Sequence, residues 1–376
     1  MRRVLALAAG AGALVFAAAA QAAIFTISDL GTLGGTNSAG YGVNDAGQVT
    51  GYATTAGGAG HAFLAAGGAM TDLGTLGGAT SVGVGINNLG QVTGYSEGPN
   101  GYRAFLYAGG AMTSLGALGG SYSVGQDIND AGQVTGYSSL VGGAQHGFLY
   151  AGGVMSDLGT LGGAMSMGEG INEAGQVTGV STLANASAHA FIDTAGVMTD
   201  LGSLGGRDSD GRAINNLGQV TGYSTLAGDA AYHAFLYTGG AMTDLGALGG
   251  GDSRGLGVND AGQVVGVNYI AGDPVGHAFL YAGGVMSDLN NLIDPSLGWL
   301  LQYAAAINDA GQITGFGFID GRQHAFLLTP QLPPPLAAVP EPGAWAMMLL
   351  GFAGVGGLLR ARRRGRSEAW GAGAGG

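Results

Sequence analysis

The sequence contains no cysteine and no lysine. Without cysteine there is no disulfide framework and no thiolate chemistry, so the fold must be stable without covalent cross-links. All twelve basic residues are arginines, and only five lie between residues 23 and 342, where 23 Asp and Glu residues give a net charge of −18. Such an acidic segment should stay soluble and repel nucleic acid, so a nucleic-acid partner is excluded. Binding of calcium or of a cationic glycan is the alternative role for this surface.

The motifs of several common catalytic sites are missing too. The chain has no Gly-x-Ser-x-Gly elbow, no His-Glu-x-x-His pair and no phosphate-binding loop. We therefore predict a protein that is not an enzyme and needs no cofactor. Carboxylates are numerous enough to supply a glycosidase pair, so a polysaccharide hydrolase or lyase stays as the alternative. The run Asp208-Ser209-Asp210-Gly211 is similar to part of a calcium-binding loop, but the downstream ligands are missing and an ordinary turn is the competing interpretation.

Glycine is abundant, with 80 residues, and the chain repeats itself seven times. Three motifs recur in fixed order with a period of mostly 42 to 44 residues. The first is Asp-Leu-Gly-x-Leu-Gly-Gly, which begins at Asp29, Asp72, Ser114, Asp157, Asp200 and Asp244 and is degenerate at Asp288. The second is Asn-x-x-Gly-Gln, with glutamines at Gln48, Gln91, Gln133, Gln176, Gln219, Gln263 and Gln312. The third is His-Ala-Phe, with phenylalanines at Phe63, Phe105, Phe148, Phe191, Phe235, Phe279 and Phe326.

Each repeat predicts four short strands separated by Gly-rich and Asn-rich turns. Four antiparallel strands in about 43 residues match one blade of a β-propeller. We therefore predict an all-β fold, a seven-bladed β-propeller over residues 23–329. The last copy has only three strands, and an N-terminal strand at residues 24–30 should complete it and close the ring without an exposed edge. An open solenoid, the alternative, would need caps at both ends.

The His-Ala-Phe and Gly-Gln-Val motifs resemble the HAF family of extracellular repeats. The resemblance covers residues 24 to about 329 and implies export and repetition, but no established activity. All six histidines belong to the third motif, one per repeat, with Arg103 in the second copy. In a ring these positions lie a whole blade apart, too far to share a metal ion, so we predict no metal site. Each histidine should instead hydrogen-bond within its blade, with the Asp nine residues beyond the Phe as its partner.

The two ends of the chain predict its route. Residues 1–22 combine Arg2 and Arg3, an apolar run and a small-x-small site, which is typical of a secretory signal peptide. A proline-rich linker over residues 330–339 precedes a Pro-Glu-Pro tripeptide, about 17 apolar residues and an arginine cluster. The apolar stretch is long enough to span a bilayer, and the arginines should hold its end in the cytoplasm. By these rules the protein has a C-terminal membrane anchor.

Residues 340–366 closely resemble the PEP-CTERM sorting signal of Gram-negative bacteria, and residues 367–376 should form a disordered tail. The resemblance implies recognition and cleavage by an exosortase-type enzyme, often in bacteria that make exopolysaccharide. The matching residues are Pro340, Glu341, Pro342, Arg360, Arg362, Arg363 and Arg364. The expected route is export through the inner membrane, anchoring before processing, and then the cell surface or the extracellular space.

Length differences between copies fall in the loops between the second and third strands and between blades, which should share one face of the disc. Binding residues concentrate in such variable loops. On this face the candidate ligand-binding residues that break the repeat are Asp127, Glu169, Asp208, Asp210, Arg212, Asp252, Arg254, Trp299 and Tyr303. Ordinary loop polarity with one core tryptophan is the competing interpretation. Our leading hypothesis is an exported, non-enzymatic propeller that binds or structures extracellular polysaccharide, or binds a surface protein.

Overall fold

The structure, a computed structural model, describes residues 24–273 and 275–331. Over these residues the chain forms seven four-stranded antiparallel sheets arranged as the blades of a β-propeller, which confirms the predicted fold. No helix among the described residues is both long enough and apolar enough to cross a bilayer. The predicted signal peptide, apolar span and sorting signal all lie outside the described residues.

The first fourteen strands are β1 (Phe25–Asp29), β2 (Gly34–Val43), β3 (Val49–Thr55), β4 (Gly60–Ala66), β5 (Ala69–Asp72), β6 (Ser81–Ile86), β7 (Val92–Gly98), β8 (Gly101–Ala108), β9 (Ala111–Gly116), β10 (Gly119–Ile128), β11 (Val134–Leu140), β12 (Gln145–Ala151), β13 (Val154–Asp157) and β14 (Gly162–Ile171). The next fourteen are β15 (Val177–Leu183), β16 (Ala188–Thr194), β17 (Val197–Asp200), β18 (Gly205–Ile214), β19 (Val220–Leu226), β20 (Tyr232–Thr238), β21 (Ala241–Asp244), β22 (Asp252–Val258), β23 (Val264–Tyr269), β24 (Gly276–Ala282), β25 (Val285–Asp288), β26 (Leu300–Ile307), β27 (Ile313–Ile319) and β28 (Arg322–Pro330). Short 3-10 turns lie at Leu248–Gly250, Leu289–Asn291 and Pro295–Leu297.

The blades follow the chain, and the last one is completed by the N-terminal strand. Blades 1 to 6 each take four consecutive strands, from β2–β5 to β22–β25, and blade 7 has the order β1-β28-β27-β26. In blade 7, β1 pairs antiparallel with β28 from Phe25↔Pro330 to Asp29↔Phe326. The backbone N–H of Phe25 also donates to the carbonyl of Leu292 at 3.1 Å. The predicted closure is therefore confirmed, and the edge of β28 is paired rather than left open.

Antiparallel connectivity gives the disc two different faces. The turns from first to second strand and from third to fourth strand share one face, which we call the Asn-turn face. The loops between second and third strands and between blades share the other, the variable face. The first turn needs a glycine because its backbone is left-handed there, as at Gly47, where φ is 72°. A side chain at that position would be strained, so glycine stands there in every copy, although the two residues before it vary.

The hydrophobic core lies between neighbouring blades. The phenylalanine of each third strand is fully buried in all seven blades. Phe105, for example, packs with Ile86 and Val92 of its own blade and with Ala62 of the preceding blade. Burying each phenylalanine contributes roughly 2 to 3 kcal/mol relative to an exposed ring. These contacts confirm the predicted inter-blade core.

Each histidine of the repeat pairs with the aspartate that was predicted as its partner. In blade 1, Nδ1 of His61 lies 2.9 Å from a carboxylate oxygen of Asp72. The same pair recurs in blades 3, 4, 5 and 6. In blade 7, His324 pairs at 2.8 Å with Asp29, which comes from β1. The histidines therefore tie the third strand to the fourth, and in blade 7 this pair helps to hold the N-terminal strand.

Seven buried asparagines form a closed hydrogen-bonded ring on the Asn-turn face. Each Nδ2 donates to the backbone carbonyl of the corresponding asparagine in the next blade, and the last link runs from Asn308 to the carbonyl of Asn44 at 2.8 Å. The members are Asn44, Asn87, Asn129, Asn172, Asn215, Asn259 and Asn308, each 5% exposed or less. The sequence pattern places these residues in turns and does not show this role. Six of the links between blades join residues 42 to 49 positions apart, and the closing link spans 264 positions.

Candidate binding site in the axial channel

The seven innermost strands surround a cavity on the propeller axis. Its volume is about 240 Å³, and every blade contributes to its wall. The polar lining residues are Tyr41, Gln126, Asp127, Glu169, Arg212 and Tyr303. Toward the Asn-turn face, Val and Ile residues at the ends of the inner strands separate it from a second cavity of about 160 Å³. We call the larger space the axial cavity.

A β-bulge in each inner strand aims one side chain at the axial cavity. In blade 4 the pairing of β14 with β15 shifts between Gly168 and Gly170, so Glu169 has no partner in the ladder. The same shift leaves Arg212 unpaired in blade 5, and the other bulge residues are Tyr41, Val84, Gln126, Leu256 and Ala305. Bulges commonly re-aim side chains next to functional sites. The seven most variable positions of the inner strands therefore converge on the axis.

Small residues beside the bulge allow the blades to approach one another. A Cβ atom added to Gly211 would lie 2.5 Å from Oγ1 of Thr178 in the preceding blade. Five of the other six blades have a glycine at this position and Ala304 stands there in blade 7. The small residue before each bulge was therefore a signal in the sequence that could have predicted the bulges. The same signal would have added Tyr41 and Gln126 to the predicted site residues.

An ionic cluster lies across blades 3, 4 and 5. Nη1 of Arg212 lies 3.2 Å from Oε1 of Glu169 and 3.7 Å from Oδ2 of Asp210. Gln126 donates to Oε2 of Glu169 at 2.7 Å, and the hydroxyl of Tyr223 donates to Oδ2 of Asp210 at 2.9 Å. The Glu169 side chain is only 5% exposed, and that of Arg212 is 30% exposed. The sequence prediction thus named three residues that do meet, from two different blades.

Burial weakens the acidity of the carboxyl groups in this cluster. Burial raises the pKa of Glu169 from 4.5 to about 7, although the neighbouring guanidinium of Arg212 opposes the rise. Burial likewise raises the pKa of Asp210, against the influence of Arg212 and the hydrogen bond from Tyr223. Near neutral pH the cluster can therefore take up or release a proton.

Asp127 occupies the position after the bulge, where most other blades have glycine. Its Oδ1 accepts from the N–H of Ile128 at 2.9 Å, and its Oδ2 accepts from the N–H of Ile171 at 3.0 Å. Burial raises the pKa of Asp127 to about 6, while these two hydrogen bonds lower it. Asp127 thus joins blade 3 to blade 4 in the channel wall, and both of its oxygens are already engaged.

Arg254 lies among aromatic rings rather than beside a carboxylate. Its guanidinium carbon is 5.1 Å from the ring centre of Tyr223 and 5.8 Å from those of Tyr232 and Tyr269. In the described part of the chain no carboxylate lies within 4 Å of it, and its buried Nε has no hydrogen-bond partner. Oδ1 of Asp210 is buried without a partner as well. Such unmet groups are uncommon in folded proteins and mark a place where a further polar group fits.

Of the remaining predicted residues, only Tyr303 lines the axial cavity. Trp299, Asp208 and Asp252 pack in the core or hydrogen-bond to the neighbouring blade. Tyr303 lines the axial cavity and stacks on Phe316 with ring centres 5.0 Å apart. Trp299 packs edge-on against Phe326 in the core of blade 7, 6.2 Å between ring centres. Asp208 and Asp252 each accept a backbone N–H from the third strand of the preceding blade, at 2.9 and 3.1 Å. These three residues are not brought to the axial cavity.

The interpretation of Asp208 to Gly211 as a turn is wrong. These residues lie inside β18, because the inner strand begins at Gly205 and continues to Ile214. The acidic residues of this run therefore belong to a ladder that is tied to β19. Among the described residues no group of three His, Cys, Asp or Glu side chains is placed to hold a metal ion.

Comparisons with known proteins support the fold. No family model matches the chain, and no curated protein matches it. The chain is similar to a puromycin-hydrolyzing peptidase from Mycobacterium tuberculosis, with a TM-score of 0.56 and 11% identity over 82% of this chain and 54% of that one. It thus spans about half of the peptidase.

Two further solved structures are less similar. A lectin from Burkholderia pseudomallei has a TM-score of 0.47 and 12% identity, covering 84% of this chain and 99% of the lectin. TolB from Acinetobacter baumannii has a TM-score of 0.44 and 9% identity, covering 78% and 64%. At identities this low a likeness extends to the fold and not to activity. The sheet topology makes the chain a seven-bladed β-propeller, and its candidate site is the axial cavity.

Proposed function

We propose that the protein is an exported, non-enzymatic binding module of the extracellular polysaccharide matrix, which takes its ligand at the variable-face end of the channel. The observation that carries the proposal is the cluster of Arg212, Arg254, Asp210 and Glu169 beside tyrosine rings, with buried polar atoms left unpartnered. Binding sites typically combine an apolar or aromatic wall with a few fixed polar groups. Tyrosine suits such a wall, since it offers a ring face and a hydroxyl at little entropic cost.

The size of the axial cavity limits what can enter it. A volume of about 240 Å³ lies below the roughly 300 to 1,000 Å³ of pockets that bury a drug-sized ligand. A polysaccharide therefore binds across the mouth on the variable face, with at most one sugar residue inside. We assign Tyr269 to this mouth, because it is 37% exposed and its ring centre lies 5.8 Å from the guanidinium carbon of Arg254.

A binding screen against a panel of polysaccharides, with and without calcium, tests the proposal. Tyr269→Ala should weaken binding at least tenfold, because it removes the exposed ring beside the cluster. Tyr102→Ala is the matched control, since Tyr102 is 44% exposed in blade 2, away from the cluster. Equal affinity of both variants and the unaltered protein would place the ligand elsewhere. If no polysaccharide of the panel binds, a surface protein is favoured as the partner.

Export and sorting are tested separately. Mass spectrometry of the secreted protein should find an N-terminus near Ala23 and, in cells with an exosortase-type enzyme, a C-terminus near Pro342. The membrane would then hold the chain only before processing. Secreted protein that keeps Arg360 to Arg364 would contradict the sorting proposal without affecting the binding proposal.

The second candidate is a polysaccharide hydrolase or lyase. What favours it is the pair of Glu169, with its raised pKa of about 7, and Asp210, whose carboxylate approaches the same Nη1 of Arg212. A carboxyl that holds its proton near neutral pH can act as a general acid. Against it, the Glu169 side chain is 5% exposed. Product analysis on every binding hit separates the two, because an enzyme releases fragments and should lose turnover in Glu169→Gln.

A further inference from the structure

The guanidinium of Arg212 in the axial cavity has N–H groups that no group of the described residues engages. It is the one cation among the described residues that line the cavity. Both of its carboxylate neighbours approach the same atom, Nη1, at 3.2 and 3.7 Å. Within the described residues its Nε and Nη2 donate no hydrogen bond. About a third of the side chain is exposed, so a free guanidinium edge faces the cavity.

The other polar groups of the cavity add donors rather than acceptors. Tyr41 and Tyr303 line it and hydrogen-bond to no other residue in the described ranges. Burial raises the pKa of both phenols, so both keep the proton that they can donate. Glu169 already accepts from Nε2 of Gln126 and faces Nη1 of Arg212. A ligand that fits must therefore bring acceptor atoms.

We propose that the axial cavity binds the carboxylate of an acidic sugar residue, held by the free guanidinium edge of Arg212 and by the hydroxyls of Tyr41 and Tyr303. This deepens the proposed function and rests on it. A guanidinium presents two parallel N–H groups whose spacing matches the two oxygens of a carboxylate. The cavity has the volume of about eight water molecules, which is enough for one sugar residue and not for a chain of them.

Charge balance predicts that a proton accompanies the ligand. Glu169 and Asp210 already balance Arg212 and Arg254, and Asp127 adds a further carboxylate to the same wall. An added anion would therefore leave an excess negative charge in a buried place. Glu169 can remove it by taking up a proton, and its buried position favours the neutral carboxyl. The other groups that face Glu169 are Gln126, Tyr137 and Tyr303, none of which carries a charge at neutral pH.

The acidic surface of the protein does not prevent this binding. At an ionic strength of 0.15 M, charges separated by more than about 8 Å are largely screened from one another. The net charge of the surface therefore slows the approach of an acidic polymer, whereas direct contact with Arg212 decides the affinity. Higher salt should weaken the repulsion and leave the buried contact in place.

Isothermal titration of the full chain with glucuronate, glucose and acetate tests the proposal. Glucuronate should bind at least tenfold more tightly than glucose, and acetate more weakly than glucuronate because it lacks the sugar hydroxyls. Arg212→Gln should abolish the preference for glucuronate. Arg322→Gln, which removes an exposed arginine of the variable face, is the matched control and should leave the preference unchanged.

Titration in buffers of different ionisation enthalpy provides a second readout. At pH 7.5 the unaltered protein should take up a fraction of a proton per glucuronate, and Glu169→Gln should take up none. If Arg212→Gln does not fold, as judged by thermal melting, the double variant Glu169→Gln with Arg212→Gln keeps the charge balance and should show the same lost preference.

Several outcomes would overturn the inference. Equal affinity for glucuronate and glucose would do so, and so would a preference that survives Arg212→Gln or the double variant. If neutral polysaccharides bind in a manner that depends on Tyr269 while glucuronate does not bind, the inference fails and the proposed function stands. If no saccharide binds, both fail.

Discussion

Replacing Asn172 with alanine measures what the asparagine ring contributes to stability. Asn172 is 3% exposed. Its Nδ2 donates to the carbonyl of Asn215 at 3.1 Å and to Oε1 of Gln176 at 2.9 Å, and its Oδ1 accepts from the N–H of Gln176 at 2.9 Å. The change therefore removes three hydrogen bonds, one of which joins blade 4 to blade 5.

The expected loss follows from these three bonds. A buried hydrogen bond contributes about 1 kcal/mol net, and an unsatisfied partner left behind costs at least as much. We therefore expect Asn172→Ala to lower the free energy of unfolding by about 3 kcal/mol. The isosteric Asn172→Asp should cost at least as much, because a carboxylate cannot donate to the carbonyl of Asn215.

Urea unfolding at pH 7 measures the loss, with Asn185→Ala as the control in the same blade. Asn185 is exposed, and its side chain contacts only the nearby Ser187. The control removes two hydrogen bonds to Ser187 and none between blades, so it should lower the free energy of unfolding by about 1 kcal/mol, clearly less than Asn172→Ala. If Asn172→Ala costs no more than Asn185→Ala, the ring does not stabilise the closed propeller and the reasoning is refuted.

Three further predictions concern pH, packing and closure. Folding raises the pKa of the Glu169 carboxyl from 4.5 to about 7. The carboxyl therefore contributes fully to the free energy of unfolding below pH 4.5, and this contribution is lost as the pH rises through 7. At 1.36 kcal/mol per pKa unit the loss is about 3 kcal/mol. Urea unfolding at pH 5 and pH 8 should show this loss in the unaltered protein and not in Glu169→Gln; identical pH responses would contradict it. Gly222→Ala should prevent folding of blade 5, because the added Cβ would lie 1.8 Å from the backbone oxygen of Asp210 in the paired strand. In the control Gly60→Ala the added Cβ has no neighbouring atom closer than 3.7 Å, so the melting temperature should stay within a few degrees of that of the unaltered protein. Asp29→Ala should speed amide hydrogen exchange in β1, because it removes the pair with His324 that holds this strand. The control Asp72→Ala, which removes the pair with His61, should leave exchange in β1 unchanged. Equal exchange rates in the two variants would show that the His324 pair does not support closure.

Much of the fold could be predicted because the same pattern of strands and turns occurs in seven copies. Glycine and asparagine at regular intervals mark the turns, and the alternation between them marks the strands. A single blade would have been ambiguous, but seven copies with a missing last strand indicate closure by the N-terminal segment. The His61 and Asp72 pair was predictable too, because the short turn places Asp72 opposite Phe63, and His61 lies two residues from Phe63 on the same strand, within reach as a diagonal neighbour.

The candidate site was predicted only in part. Glu169, Arg212 and Tyr303 were selected because they break the repeat, and they do meet at the axis. Trp299 breaks the repeat equally, yet it packs in the core, because the inserted segment folds back over blade 7. A departure from the repeat shows that a residue is special without showing which neighbours it has. The seven bulges decide that, and a bulge depends on the register between two strands.

The sequence by itself determined the all-β class, the number of blades, the turn chemistry and the partner of each histidine. All of these depend on contacts within a repeat, on the count of repeats, or, for His324, on the N-terminal strand that completes the last repeat. Only the tertiary structure decided that seven asparagines form one ring and that Glu169 faces Arg212. It also decided that the buried Nε of Arg254 has no hydrogen-bond partner among the described residues. Most of these contacts join residues about 43 positions apart, and the last link of the asparagine ring joins residues 264 positions apart. Their geometry is set by the angle and distance between blades, which no local pattern encodes.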